Sequence, residues 1–305
     1  MPIVTGAGSN WADLLDPTVQ YRADQAFMRR ASLIPTLFNV QTSARTREQV
    51  SGVGAIGIDA WKNYENSKNV PEVDFDQGYK QTYTHKEYAV DFGVERKDIA
   101  DNNFVEVFRV VDRIGDSASL FRETEAASIF NNAFTVASGA DGTYLCSDSH
   151  PLSPQKTGVT QDNNFALALT KAKVRTVREA MMAFTDDNGN KMGITPNMLL
   201  VPPALEDDAI EIVNSTLNPD NANNTINPQF GRFQVVTWHY LTDSNAWFMI
   251  DAAMMRMSLD WFNREPFSVA MREGDDRTVK AYWRAYQRFS YGFSDWKWVA
   301  GSNPS

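Results

Sequence analysis

The stretch DGTYLCSDSHPLSP (residues 141–154) holds the chain's only cysteine, Cys146, and one of its three histidines, His150. A thiol near an imidazole could be a nucleophile with its general base. That chemistry needs hydrogen-bond reach between the two and a third group to orient the base. A thiolate and an imidazole could also be half of a zinc site, but such a site takes three or four ligands, typically in pairs. The other histidines, His85 and His239, are scattered, and the order of residues names no third partner. Gly142, Pro151 and Pro154 punctuate the stretch, so the residues read as a shaped loop in which His150 caps backbone groups.

Three other stretches raise chemical possibilities. DDNGNK (186–191) resembles part of a calcium loop, but Thr185 stands where an acid is needed and Thr195 where the closing glutamate belongs, which leaves a polar hairpin turn. GVGAIG (52–57) lacks the spacing and strand–loop–helix setting of a dinucleotide site and reads as the flexible base of a projecting arm. KAKVRTVR (171–178) puts Lys171, Arg175 and Arg178 on one helix face, a pattern that could meet acidic neighbours or nucleic acid but is more commonly a solvated face. No constellation amounts to an active site. No catalytic residue, cofactor or metal ligand is expected, and the chain reads as a non-enzyme.

The 305 residues are 43% hydrophobic and 22% charged, values that support a sizeable core. A single cysteine excludes an internal disulfide and suits a reducing compartment. No basic-plus-apolar leader opens the sequence, so no secretion is expected. The most apolar run, AWFMIDAAMMRM, is interrupted by Asp251 and Arg256 and is too short to span a bilayer, so no membrane partner is expected. The net charge of −9 argues against a broad phosphate-gripping surface, yet suits the wall of a container whose packed nucleic acid must not stick.

Around these residues the pattern predicts an α+β chain. DPTVQYRADQAFMRRASLI spaces Val19, Ala23, Ala26 or Phe27, and Arg30 as a helix with Pro17 in its first turn, an arm lying on something else. Residues 45–98 predict a long two-stranded arm that turns at ENSKNVPE. Its returning strand alternates through Thr82, Thr84, Lys86, Tyr88, Val90, Phe92 and Val94. Residues 104–137 step at threes and fours, which predicts a 34-residue helix about 51 Å long. A helix over about 165–184, strands in NMLLVP, RFQVVTWHY and NAWFMID, and a helix in PPALEDDAIEIVNSTL follow. VKAYWRAYQRFSYGF (279–293) alternates as a 15-residue strand, again about 51 Å. Its Trp283, Phe289 and Phe293 face is expected to lie along the long helix, giving a flat slab.

In this order the segments resemble the major capsid protein of tailed bacteriophages, the Hong Kong 97 fold, and most closely Mu-like major head subunits. GYKQTYTHKEYAVDFGVERKDIADNNF resembles that family's arm-return strand and entry to its spine helix. DGTYLCSDSHPL resembles its post-spine loop, NMLLVPPALEDDAIEIVNS its strand–helix unit, and INPQFGRFQVVTWHYLTDSNAWFMID its apical strands. The resemblance implies an N-terminal arm (1–44), an extended hairpin loop with flanking strands (45–95), a peripheral domain with the spine helix (96–149), an apical domain (150–276) and a peripheral return strand (277–305). It implies a non-enzymatic shell protein that self-assembles as hexamers and pentamers around double-stranded DNA, in a virion assembled in the bacterial cytoplasm.

The implied partners are further copies of itself, a portal, decoration proteins and a separate scaffolding protein, because the arm signals begin almost at Met1. DNA is expected to make weak, non-specific contact only. The inter-subunit contact candidates are Trp11, Phe27, Trp61, Tyr64, Lys68, Tyr79 and Tyr83. Gly115 inside the spine helix is the candidate for a bend, with Gly115→Ala expected to leave folding intact. Lys62, Lys68 and Lys80 sit in the arm, but no residue identifies a crosslinking partner. An encapsulin-like cellular compartment, a Cys146/His150 hydrolase and a tail or fibre component are the alternatives.

Overall fold

A computed structural model of the protein describes residues 9–58, 61, 72, 76–95, 97–98, 101, 104–156, 158–217, 226–272 and 280–304. The chain opens with α1 (Ser9–Met28) and a short α2 (Ile34–Leu37). Strands β1 (Asn39–Thr42), β2 (Arg47–Val53), β3 (Gln77–Thr84) and β4 (Lys86–Glu95) follow. The long helix α3 spans Phe104–Asn131. The midsection holds β5 (His150–Pro151), β6 (Thr160–Gln161), β7 (Asn164–Phe165), α4 (Lys171–Met182), β8 (Met198–Val201) and α5 (Glu206–Asn214). It continues through β9 (Gln234–Thr237), β10 (Trp247–Ile250) and α6 (Ala252–Ser258). The chain closes with β11 (Leu259–Arg272), β12 (Lys280–Phe293) and β13 (Val299–Ser302).

Two larger sheets organise these elements, one in the order β1-β11-β12-β4 and one in the order β7-β13-β10-β8-β9. The predicted hairpin is present as β2 paired antiparallel with β3, with Arg47 opposite Thr84. Its return strand is not continuous, however. The chain breaks at His85, and β4 leaves the hairpin to pair with β12. The glycines at the hairpin base are there for close approach. A Cβ on Gly78 would lie 2.7 Å from the Gly52 carbonyl carbon.

The helix-beside-strand expectation holds with a shorter helix. Val107 and Val111 of α3 pack with Phe92, Val94, Trp283 and Ala285 of the sheet and with Val19 and Ala23 of α1. Trp283 stacks on Phe92, and Phe121 meets Tyr88 edge-on at 4.7 Å. Phe293 instead joins the larger core around the second sheet. The α3 helix ends at Asn131, six residues before the predicted stop at 137, because the next residues turn inward. The Asn131 amide bonds the Tyr240 carbonyl and accepts from the Thr242 N–H, while the Ala133 carbonyl accepts from the Cys146 N–H.

Three other expectations are corrected. The α1 helix begins at Ser9, so Pro17 lies inside it rather than in its first turn. The helix expected from 165 begins at Lys171, capped by the Thr170 side chain, because Asn164 and Phe165 are taken as a strand by β13. The strand β11 was not predicted. Its register shifts on either side of Glu265, next to Pro266, break the alternation that marks a strand. The β11 strand is hydrogen-bonded to β12, while β13 sits in the sheet of β10.

Candidate assembly surfaces and the buried His150 cluster

His150 is fully buried, and its ring stacks on Trp296 with centroids 4.1 Å apart. The Nδ1 atom lies 2.6 Å from Asp141 Oδ2 and 2.9 Å from Thr143 Oγ1. On the other side Nε2 lies 3.1 Å from Asn163 Oδ1. The Asn163 amide in turn donates to the carbonyls of Leu145 and Val299. Burial pushes the Asp141 carboxyl up, but bonds from His150 and Thr143 outweigh it and hold the group below its usual range. His150 thus has an orienting acid, which the sequence did not name although Asp141 opens the very stretch in question.

Cys146 takes no part in this network. It is fully buried, and burial drives its thiol far above the ordinary range. A thiol held protonated is a poor nucleophile. Among the described residues, no group of three or more His, Cys, Asp or Glu is placed to hold a metal ion. The cluster is therefore a buried rivet between the loop after α3 and the segment that ends in β13. It holds that loop by satisfied hydrogen bonds.

DDNGNK is the expected polar turn: Asp186 accepts from the N–H groups of Asn188 and Asn190, with Gly189 at φ 81°. It also clasps the hairpin base. The Ala55 N–H donates to Asp187 Oδ1 at 3.0 Å, and the Asn188 amide donates to the Ala55 carbonyl. Lys156 secures the same turn through the Asp187 carbonyl at 2.8 Å. GVGAIG is therefore a docked base and not a flexible one. On α4, Arg175 of the predicted basic face pairs with Glu179 at 2.7 Å.

The strands of the hairpin start from a second polar junction that sequence reasoning missed. His85 lies between Ser43 Oγ at 3.1 Å and Ser290 Oγ at 2.9 Å. Burial, with Arg288 nearby, lowers its pKa. Ser43, just after β1, also donates to Glu48 of β2, so Ser43 and His85 together link the end of β1, β2 and Ser290 of β12. The available signal was the change at position 85 from polar to apolar alternation.

The predicted contact residues separate into four groups. Trp61 is 83% exposed. Tyr79 is half-buried near the hairpin base. Tyr83 and Phe27 are used within the chain. Tyr83 is 2% exposed, and its hydroxyl donates to Asp260 Oδ2 at 3.1 Å. Phe27 stacks on Phe267 with centroids 4.8 Å apart. Tyr64 and Lys68 lie outside the described residues, as does the Trp11 side chain.

Gly115, the bend candidate, lies at a close contact between two helices. The helix α3 runs through it uninterrupted. A Cβ there would lie 2.4 Å from the Ala23 carbonyl oxygen and 2.7 Å from the Ala26 Cβ. Gly115 lets α1 settle onto α3, and the bidentate pair from Arg22 to Asp112 fixes the contact, at 2.8 and 3.3 Å.

A family model described as phage capsid protein matches residues 78–301. Solved structures add likenesses in fold. The decorated capsid of bacteriophage JBD30 is 17% identical with a TM-score of 0.56, over 70% of this chain and 92% of that one. The mature capsid of bacteriophage PhiM1 is 12% identical with a TM-score of 0.57, over 90% and 88%. A virus-like particle from Pyrococcus furiosus is 8% identical with a TM-score of 0.55, over 95% and 99%. No curated protein matches. These likenesses single out no Mu-like subset.

Proposed function

Because the chain belongs to the phage capsid protein family and is a shell protein with the Hong Kong 97-type α+β fold, we propose that it closes into an icosahedral head built of hexamers and pentamers around double-stranded DNA. The family match across residues 78–301 carries this reading. The architecture supports it: a hairpin forms a two-stranded sheet of its own, beside a four-stranded sheet of long strands covered by the long helix. Rings of head-to-tail contacts need two different faces on each copy, and the exposed Trp61 and the charged outer face of β12 offer them. In this assignment α1 is the N-terminal arm, β2–β3 the extended loop, α3 with the β1-β11-β12-β4 sheet the peripheral domain, and the midsection sheet the apical domain.

Assembly in the host cytoplasm, a separate scaffolding protein, a portal and loose DNA contact complete the proposal. Decoration proteins are a further proposed partner, by analogy with the minor capsid protein trimers on the JBD30 capsid. No catalytic role is assigned. Among the described residues, no helix is long and apolar enough to cross a membrane. Sedimentation and electron microscopy of the purified chain test the reading: closed particles or capsomer rings are expected, and a chain that stays monomeric across salt and concentration overturns it.

A further inference from the structure

Arg122 makes no ion pair among the described residues, although the charge of Glu123 lies close enough to favour its protonated form. It points from α3 into a cavity of about 350 Å³ bordered by Phe27, Met28, Arg30, Val40, Ser119 and Glu123. Its guanidinium carbon lies 5.1 Å from the Trp261 ring centre and 5.6 Å from those of Phe27 and Phe289. Of its five donors, one reaches a protein acceptor, Asn263 Oδ1, at 2.9 Å, and Trp261 Nε1 already donates to that oxygen. Among the described residues no carboxylate lies within ion-pairing distance of it. The neighbouring acid Glu123 is buried and already accepts from Ser32 Oγ and Trp238 Nε1. Desolvation lowers the Arg122 pKa to about 10, so the isolated chain holds this charge at a cost.

We propose that this cavity is a socket for a carboxylate side chain of a second copy of the chain, received by Arg122 with Arg30 at the mouth. A guanidinium presents a planar fork that matches a carboxylate in two parallel hydrogen bonds. The cavity admits one side chain, whereas a DNA duplex would have to leave its phosphates at the rim. The chain carries 38 acids against 29 lysines and arginines, so every copy has surplus carboxylates to offer. Glu72 and Asp76, exposed at the hairpin and without a basic partner among the described residues, are the two we assign. The mouth is open to such a partner: Met28 is 76% exposed and Arg30 and Val40 are also exposed.

The inference rests on the self-assembly reading, and the experiment separates the two. Particle yield is measured by sedimentation for the parent, Arg122→Gln and Arg122→Lys, with urea denaturation of each unassembled chain as the folding control. Arg122→Gln is expected to fold but to assemble about tenfold less well, as when one member of a desolvated charge pair is truncated. Arg122→Lys keeps the charge without the fork and is expected to fall between. Should Arg122→Gln fail to fold, the charge swap decides: Arg122→Glu with Glu72→Arg or Asp76→Arg restores particles if the socket is real. Failure of both swaps overturns the assignment. So does a particle map with phosphate or solvent ions alone against Arg122. A parent that assembles alongside an equally productive Arg122→Gln overturns the socket alone, whereas a parent that never assembles overturns the assembly reading and the socket with it.

Discussion

Strands β8, β10 and β13 are four residues each and buried at every position, whereas β4, β11 and β12 run 10 to 14 residues and mix buried with exposed positions. The short strands are sealed by Val174, Val177 and Met181 of α4, by Ala209 and Val213 of α5, and by Ala127 and Phe130 of α3, all in one core. Away from Leu259–Phe262, which is buried on both faces with Tyr83 over one of them, the long strands are covered on one face by α1 and α3. Their other face is a lattice of charges: Asp91 is gripped by Arg272 and Arg284, and Arg288 stands between Glu87 and Glu265. A strand buried on both faces reads as a continuous apolar run, and one buried on a single face alternates. The difference separates a region that completes itself from one that leaves a broad polar face for water or another copy.

The sharpest break is expected in the self-contained region. Trp298 is fully buried, its ring 6.1 Å from Phe130, and its indole N–H donates to the Asp295 carbonyl. Trp298→Ala leaves a cavity with no side chain free to fill it, at a cost of about 3 to 5 kcal/mol. Urea denaturation of the unassembled chain should lose most of its transition. A loss under about 1 kcal/mol would show that the midsection repacks freely, against the close packing expected of an interior.

The one-sided region should respond to added volume at its helix contact. Gly115→Ala puts a methyl 2.4 Å from a backbone oxygen of α1, and backbone cannot rotate away as a side chain can. The strain is expected to be about 3 kcal/mol, the upper part of the overpacking range. Because α1 touches the rest mainly through α3 and β11, it should come loose first. Limited proteolysis within residues 16–28 should quicken while α3 and the sheets stay protected. Equal stability and equal cleavage in parent and variant would return Gly115 to the role of a hinge.

Legibility in the sequence follows the same division. The β8, β9 and β10 strands and the β12 ladder were readable because each is an uninterrupted pattern of one period. The β11 strand was not, since Pro266 and two register shifts scramble its alternation. The end of α3 was misjudged because apolar residues keep helical spacing beyond Asn131, through Ala133 to Val136, even though the backbone has turned. For the candidate surfaces, Trp61 was picked out as an aromatic of the arm, and it is exposed in the single chain. The place of Tyr83 inside the chain was not legible, because its partner Asp260 is far away in sequence, and Arg122 was overlooked because an arginine inside an amphipathic helix reads as solvated. Gly115 was read by its conformational freedom, when the deciding fact was the distance to another helix.

The smallest of these effects lies in the rivet that ties the loop after α3 to the segment ending in β13, and pH can isolate it. Asp141 accepts from the Thr143 N–H at 3.1 Å, from the Thr143 hydroxyl at 2.8 Å and from His150 at 2.6 Å. Asp141→Asn keeps the shape but turns an amide donor toward groups that donate, for a loss of about 1 to 2 kcal/mol near neutrality. The folded-state pKa lies below the unfolded value of about 3.9, so the native chain gives up a proton that the unfolded chain holds. The contribution is complete above that unfolded value and is lost as pH falls through the folded one. Parent and Asp141→Asn should therefore differ by the same amount at pH 7 and at pH 5, and converge below about pH 4. A gap that instead widens on acidification would mean that the carboxylate destabilises the fold, and that His150 is held by Trp296, Asn163 and Thr143.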